Sequence, residues 1–155
     1  MIRKVVLGFQ GTKFSNTSVA MTTKHFPGGG PQENGLDSHF DWGKFAHYPG
    51  GNFAYHLKPF RAAIATGTSA IMPYYSAPKG NGFEEVGFSY NKAIIQDLLR
   101  KKLGFTGIIN SDTGPIDMMP GGWRRLPSPN ATKNPSTPGW ISFREQPTRP
   151  SCWKP

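Results

Sequence analysis

The sequence predicts an α/β fold whose strands run parallel and are joined by helices. Three short apolar runs, Ser18–Thr23, Ser69–Tyr75 and Gly107–Asn110, have the length and residue types of buried strands. Two stretches between them carry apolar residues at helical spacing. Strand and helix therefore alternate, and βαβ units with right-handed crossovers are the expected connection.

Taken in order, Ile2–Leu7 reads as the last turns of a helix ended by Gly8. Ser18–Thr23 is the first strand. Residues 24–51 follow as a long loop rich in Gly, His and aromatics, a length that compact domains rarely keep without a function. Asn52 is placed to cap a helix running to Ala65, with Phe53, Leu57, Phe60, Ala63 and Ile64 as its apolar stripe. Pro59 predicts a kink in it, and Gly67 stops it. Ser69–Tyr75 is the second strand, and Ala77–Gly87 a Pro/Gly loop. Asn91–Leu103 is the clearest helix, lined by Ala93, Ile94, Ile95, Leu98 and Leu99 and closed by Gly104. Gly107–Asn110 is the third strand. Three strands leave two open edges, which predicts self-association through them.

From residue 120 onward the character changes. This stretch holds 8 of the 15 prolines and 6 of the 18 Lys/Arg but a single acid, Glu145. Its apolar residues lack periodicity, so residues 120–155 are expected to form an irregular tail beside a folded unit of residues 1–119. The net charge of +9 splits into +4 for the body and +5 for the tail. The cations are dispersed apart from Arg100-Lys101-Lys102, which complement a helix C-terminus, so no nucleic-acid partner is expected. One cysteine, Cys152, excludes a disulfide framework, and no apolar stretch is long enough to span a membrane. Neither feature assigns a compartment.

Two strand ends carry the chemistry. Lys24-His25 follows the first strand and offers an ammonium donor beside an imidazole, a pair suited to ligand hydroxyls or equally to ordinary packing. Asp112 follows the third strand, where a rigid scaffold could present it as a nucleophile, a metal ligand or a turn cap. Met72-Pro73-Tyr74-Tyr75 closes the second strand. Phe26-Pro27-Gly28-Gly29-Gly30 lacks the Gly-Lys-Ser/Thr ending of a phosphate loop and is more simply a place of close backbone approach. His39, His47 and His56 lack metal-ligand spacing and are assigned to surface or loop packing; Glu84-Glu85 are assigned to solvent. No metal and no cofactor are implied.

Taken together, Thr22-Thr23-Lys24-His25-Phe26-Pro27-Gly28-Gly29, Leu57-Lys58-Pro59-Phe60-Arg61, Ile71-Met72-x-x-Tyr75, Leu98-Leu99-Arg100 and Leu103-Gly104-Phe105-x-Gly107-x-x-x-Ser111-Asp112 resemble glycoside hydrolase family 3, which contains the β-glucosidases. The resemblance covers residues 5–119 and ends after Asp117-Met118-Met119-Pro120. It implies a segment of a (β/α)₈-like barrel, so the fold expected is a partial barrel. It further implies that Asp112 is the nucleophile of a retaining mechanism, that Lys24 and His25 hold the hydroxyls of the sugar, and that Met72 and Tyr75 line the same subsite. The substrate implied is a β-glucoside or oligosaccharide.

The chain departs from the family pattern at Thr113, where a Trp usually packs on the sugar. The family also draws an Asp and an Arg from segments before those matched here, and its acid/base, commonly a Glu, from beyond the nucleophile. The expectation is thus a β-glucosidase-type hydrolase that is weak as this chain alone. The alternative is a non-catalytic sugar-binding or vestigial fragment.

Overall fold

The structure is a computed structural model that describes residues 1–114. The expected tail, with Glu145 and Cys152, lies outside the described residues.

Helix α1 spans Ile2–Gln10 and buries Val6 and Gln10. It runs through Gly8 rather than ending there, and the chain turns at Gly11, whose φ is 77°. Gln10 explains the extra turn. Its Nε2 donates to the Gly67 carbonyl at 2.7 Å, while its Oε1 accepts from the Met21 and Ser69 amides at 3.1 and 2.9 Å. A buried amide so fully satisfied ties the helix end to the starts of the first two strands of the sheet.

Strand β1 is Thr22–Phe26, not Ser18–Thr23. The apolar run that suggested the earlier start is not buried: Val19 is 56 % exposed and its amide bonds back to the Phe9 carbonyl. Pairing decides the boundary instead, with Thr22 opposite Ala70 and Lys24 opposite Met72 on β3, Ala70–Pro73. Strand β5, Ile108–Ile109, pairs with the other side of β3, so the sheet order is β1-β3-β5 with every pair parallel. Gly107 enters β5 where a Cβ would collide with the Ser69 carbonyl oxygen, so a glycine is required there.

Two short strands were not expected. β2 (Phe45–His47) lies inside the long loop and β4 (Ala77–Lys79) inside the Pro/Gly loop; they pair in parallel as a separate two-stranded sheet. Three residues are too few to show a period in the sequence.

The helix expected over residues 52–65 is two helices, α2 (Phe53–His56) and α3 (Lys58–Ile64). The break falls at Leu57, and Pro59 sits in the first turn of α3, where its missing N–H costs nothing. Helix α4, Ala93–Lys102, is π-type; the Leu103 amide, for example, bonds the Leu98 carbonyl five residues back at 2.9 Å. Asn91 starts α4: its Oδ1 accepts the Ile94 amide and its Nδ2 donates to the Glu84 carbonyl. Arg100 then donates to the Phe105 and Gly107 carbonyls at 2.9 and 2.7 Å, pinning the turn into β5.

The apolar faces meet in one core. Phe26 and Ile71 from the sheet pack with Leu57 and Phe60 of the α2–α3 segment and with Ile94, Leu98 and Leu99 of α4. Phe26 meets Phe60 edge to face at 5.2 Å. Burying β1 and β3 this way fixes where their C-terminal ends emerge.

Candidate active site

Groups from three parallel strands converge beyond their C-terminal ends, where such folds place their chemistry. Lys24 and His25 lie within the last residues of β1, rather than after it, at a register shift between Lys24 and Phe26. The Lys24–His25 and Phe26–Pro27 peptide bonds are both cis. Met72 is opposite Lys24 on β3. Tyr75 follows β3 and is 5 % exposed, and Asp112 follows β5.

His25 Nε2 lies 3.3 Å from Asp112 Oδ2. Burial, reinforced by the Lys24 ammonium, holds the His25 imidazolium below its ordinary pKa of 6.5, while Asp112 pulls the other way. The neutral imidazole can then donate to the carboxylate or to a ligand hydroxyl. On its other face the ring touches Tyr74 at 4.9 Å between centroids.

The Tyr75 hydroxyl accepts the Gly114 amide at 3.0 Å and faces the Asp112 carboxylate. Burial raises its pKa first, and the Asp112 charge adds to that, so the phenol keeps its proton and donates to the carboxylate. Asp112 Oδ1 also accepts the Thr113 amide at 2.7 Å. The carboxylate is thereby held from three directions. Thr113 itself is exposed.

His39 was assigned to surface or loop packing, and the structure packs it from its loop onto a strand-end residue. Its ring packs on Tyr75 with centroids 4.6 Å apart, and its Nδ1 lies 2.6 Å from Asp37 Oδ1. Asp37 also accepts the His39 amide at 2.9 Å; that backbone bond, then the side-chain bond, hold its carboxyl below the ordinary value. The spacing Asp37-x-His39 was the only signal available in the sequence, and it becomes informative once the loop is seen folded onto Tyr75. His47 is exposed, and His56 packs edge on Tyr48 at 5.3 Å. Glu84 and Glu85 are exposed.

Within the glycine run close approach holds at Gly28, while a Cβ on Gly29 would make ordinary contact and one on Gly30 would meet open space. Gly28 has φ 142° and sits where a Cβ would press on His56, and a Cβ on Gly29 would meet the Tyr74 ring at 3.5 Å. Tyr74 is thus seated between this turn and His25. A cavity of about 300 Å³, lined by Phe14, Ile64, Thr68, Ser69 and Phe105, lies instead at the N-terminal ends of β3 and β5. Among the described residues no group of three or more His, Cys, Asp or Glu comes together to hold a metal, and no helix is long and apolar enough to cross a membrane.

Residues 1–121 match the family described as "Glycosyl hydrolase family 3 N terminal domain". The chain is 56 % identical over 116 residues to a probable beta-glucosidase C of Aspergillus flavus, covering 75 % of this chain and 18 % of that protein. It is 37 % identical over 119 residues to a periplasmic beta-glucosidase/beta-xylosidase of Dickeya chrysanthemi, covering 72 % of this chain and 18 % of that one. The chain thus spans under a fifth of the length of these relatives. Among solved structures it is similar to a family 3 beta-N-acetylglucosaminidase from Paenibacillus, with TM-score 0.62, 30 % identity, and coverage of 76 % of this chain and 21 % of that one.

Proposed function

We propose, from the premise that the chain belongs to glycoside hydrolase family 3, that it carries the nucleophile side of a retaining β-glucosidase site with Asp112 as the attacking carboxylate. The observation that carries this reading is the 3.3 Å approach of His25 to Asp112 from separate strands, with Tyr75 behind the carboxylate. The sheet β1-β3-β5 is read as an arc of the (β/α)₈-like barrel, whose catalytic face is the C-terminal one. The β-glucosidase names of two relatives support a β-glucoside as substrate.

The chemistry follows from the groups. An Asp112 oxygen attacks the anomeric carbon as the glycosidic bond breaks, giving a glycosyl ester of Asp112 and an alcohol that must receive a proton. Water then attacks the same carbon, releasing the sugar with retained configuration and restoring the carboxylate. Lys24 and His25 donate to the sugar hydroxyls, Met72 lines the subsite, and Tyr75 keeps Asp112 aimed. The proton for the leaving oxygen is assigned to His39: Asp37 holds its Nδ1, which leaves Nε2 to give and take the proton, as an imidazole beside a carboxylate does in other hydrolases. General acid catalysis of this kind is worth roughly 10²–10⁴-fold.

A mechanism-based 2-deoxy-2-fluoroglucoside tests the assignment, since it should leave a covalent sugar on Asp112 that Asp112→Asn cannot form. Hydrolysis unaffected by that substitution overturns the reading.

A further inference from the structure

We propose that Asn16 is the acceptor of an N-linked glycan, carried at the end of the sheet opposite to Asp112. Asn16-Thr17-Ser18 has the acceptor pattern, an Asn followed by any residue but Pro and then by a hydroxyl residue. Of the asparagines among the described residues, Asn16 alone stands in that pattern. Asn130-Ala131-Thr132 repeats it outside the described residues, and Pro135 blocks it at Asn134.

The folded chain has room for a glycan at this position. The Ser18 amide bonds the Ser15 carbonyl at 3.1 Å, closing a tight turn with Asn16 and Thr17 at its tip. Both tip residues are exposed, so a bulky group there displaces no packed side chain. The base of the turn is tied down. The Ser15 amide donates to Ser18 Oγ at 2.9 Å, and that hydroxyl donates to the Gln10 carbonyl at 2.6 Å. Gln10 Oε1 in turn accepts the Met21 and Ser69 amides, just before β1 and β3. The turn therefore lies at the N-terminal ends of the strands, whereas His25, Tyr75 and Asp112 gather at the C-terminal ends.

The surroundings give the glycan apolar surface to cover. Phe14 precedes the turn and is 60 % exposed, and Val19 follows it at 56 %. Phe9, whose carbonyl takes the Val19 amide, is 54 % exposed. Apolar side chains gathered in water mark a contact surface, and the C–H face of a sugar complements an aromatic ring. The co-reactant is a lipid-diphosphate-linked oligosaccharide ending in N-acetylglucosamine. Asn16 Nδ2 bonds to C1 of that sugar as its C1–O bond to the diphosphate breaks. The lipid diphosphate leaves with the bonding pair, and the amide proton passes to a base of the transferase.

The test uses the full chain with a secretion leader, purified from the secretory membranes and medium of yeast. It is made as Asn130→Gln, which leaves Asn16 in the single complete acceptor pattern. Its mass should exceed that of the polypeptide and return to it on treatment with peptide N-glycosidase. In heavy-oxygen water that enzyme should leave its isotope mark at position 16 in the peptide map. Adding Asn16→Gln or Ser18→Ala should abolish the glycan, and Ser18→Thr, which keeps the hydroxyl, should retain it. Removing the glycan should increase binding of a hydrophobic dye, with Phe14→Ala reducing that increase. An unmodified Asn16, or a glycan that survives Ser18→Ala, overturns the acceptor assignment; dye binding unchanged by glycan removal overturns the contact with the apolar side chains.

Discussion

His25 and Asp112 come from the two outer strands of the sheet, yet His25 Nε2 lies 3.3 Å from Asp112 Oδ2. The contact crosses over β3, whose own continuation brings Tyr75 to the same carboxylate. Both neighbours are uncharged groups: His25 is a base whose imidazolium burial disfavours, and Tyr75 is an acid that burial keeps protonated. The proposal that Asp112 is the nucleophile rests on these groups fixed around its carboxylate.

The first prediction concerns pH. His25 is held below its ordinary pKa of 6.5, chiefly by burial and then by Lys24, so the unfolded chain binds a proton more readily than the folded one. The His25 contribution to stability is accordingly present above 6.5 and is lost as pH falls from there through the lowered folded value. Titration of the His25 imidazole by NMR should place its midpoint under 6.5. In Asp112→Asn, which removes the carboxylate that raises it, the midpoint should fall further. A rise in that variant would contradict the geometry.

Tyr75 should matter through its oxygen. Tyr75→Phe keeps the ring against His39 but removes the acceptor for the Gly114 amide and the donor toward Asp112. Hydrogen bonds to a charged group are worth about 1.5–3 kcal/mol. The rate at which the fluoroglucoside modifies Asp112 should fall about 10- to 100-fold. Stopped incubations read by mass spectrometry measure it, and an unchanged rate would remove Tyr75 from the site.

His39→Asn should separate substrates by leaving group. Alkyl and sugar β-glucosides, which need a proton on departure, should lose roughly 10²–10⁴-fold in kcat/KM. Dinitrophenyl glucoside, whose phenolate leaves unaided, should lose little. Asp37→Asn should follow the same pattern more weakly, since it only orients the ring. Equal losses on both substrate types would assign His39 to packing.

Phe26 links the core to the site. It is fully buried, packs edge on Phe60, and follows the residue that reaches Asp112. Phe26→Ala should cost about 3–5 kcal/mol in denaturant unfolding. Tyr55→Ala, on a ring 63 % exposed, should cost far less and serves as the control.

Much of this arrangement was legible in the sequence, and the misses have physical causes. Parallel β1, β3 and β5 could be anticipated because apolar runs alternated with helical periodicity. The start of β1 could not, because Val19 is as apolar as a core residue but is left in water when pairing with β3 begins at Thr22. The continuation of α1 past Gly8 depended on Gln10, a polar residue whose bonds to Gly67, Met21 and Ser69 exist only in the folded chain. Lys24, His25 and Asp112 stood out because they sit at or near strand ends, and Met72 and Tyr75 through the resemblance to glycoside hydrolase family 3. His39 did not: its significance lies in a ring contact with Tyr75 across the fold, and an Asp-x-His spacing alone says nothing of that.

The central claim, that Asp112 attacks the sugar, is tested most directly by incubating the chain with 2-deoxy-2-fluoroglucoside and mapping the product by peptide mass spectrometry. The account predicts one added fluoroglucosyl group, on the peptide containing Asp112, and none on the Asp112→Asn chain. An adduct on another residue, or β-glucoside hydrolysis that proceeds unchanged in Asp112→Asn, would contradict it.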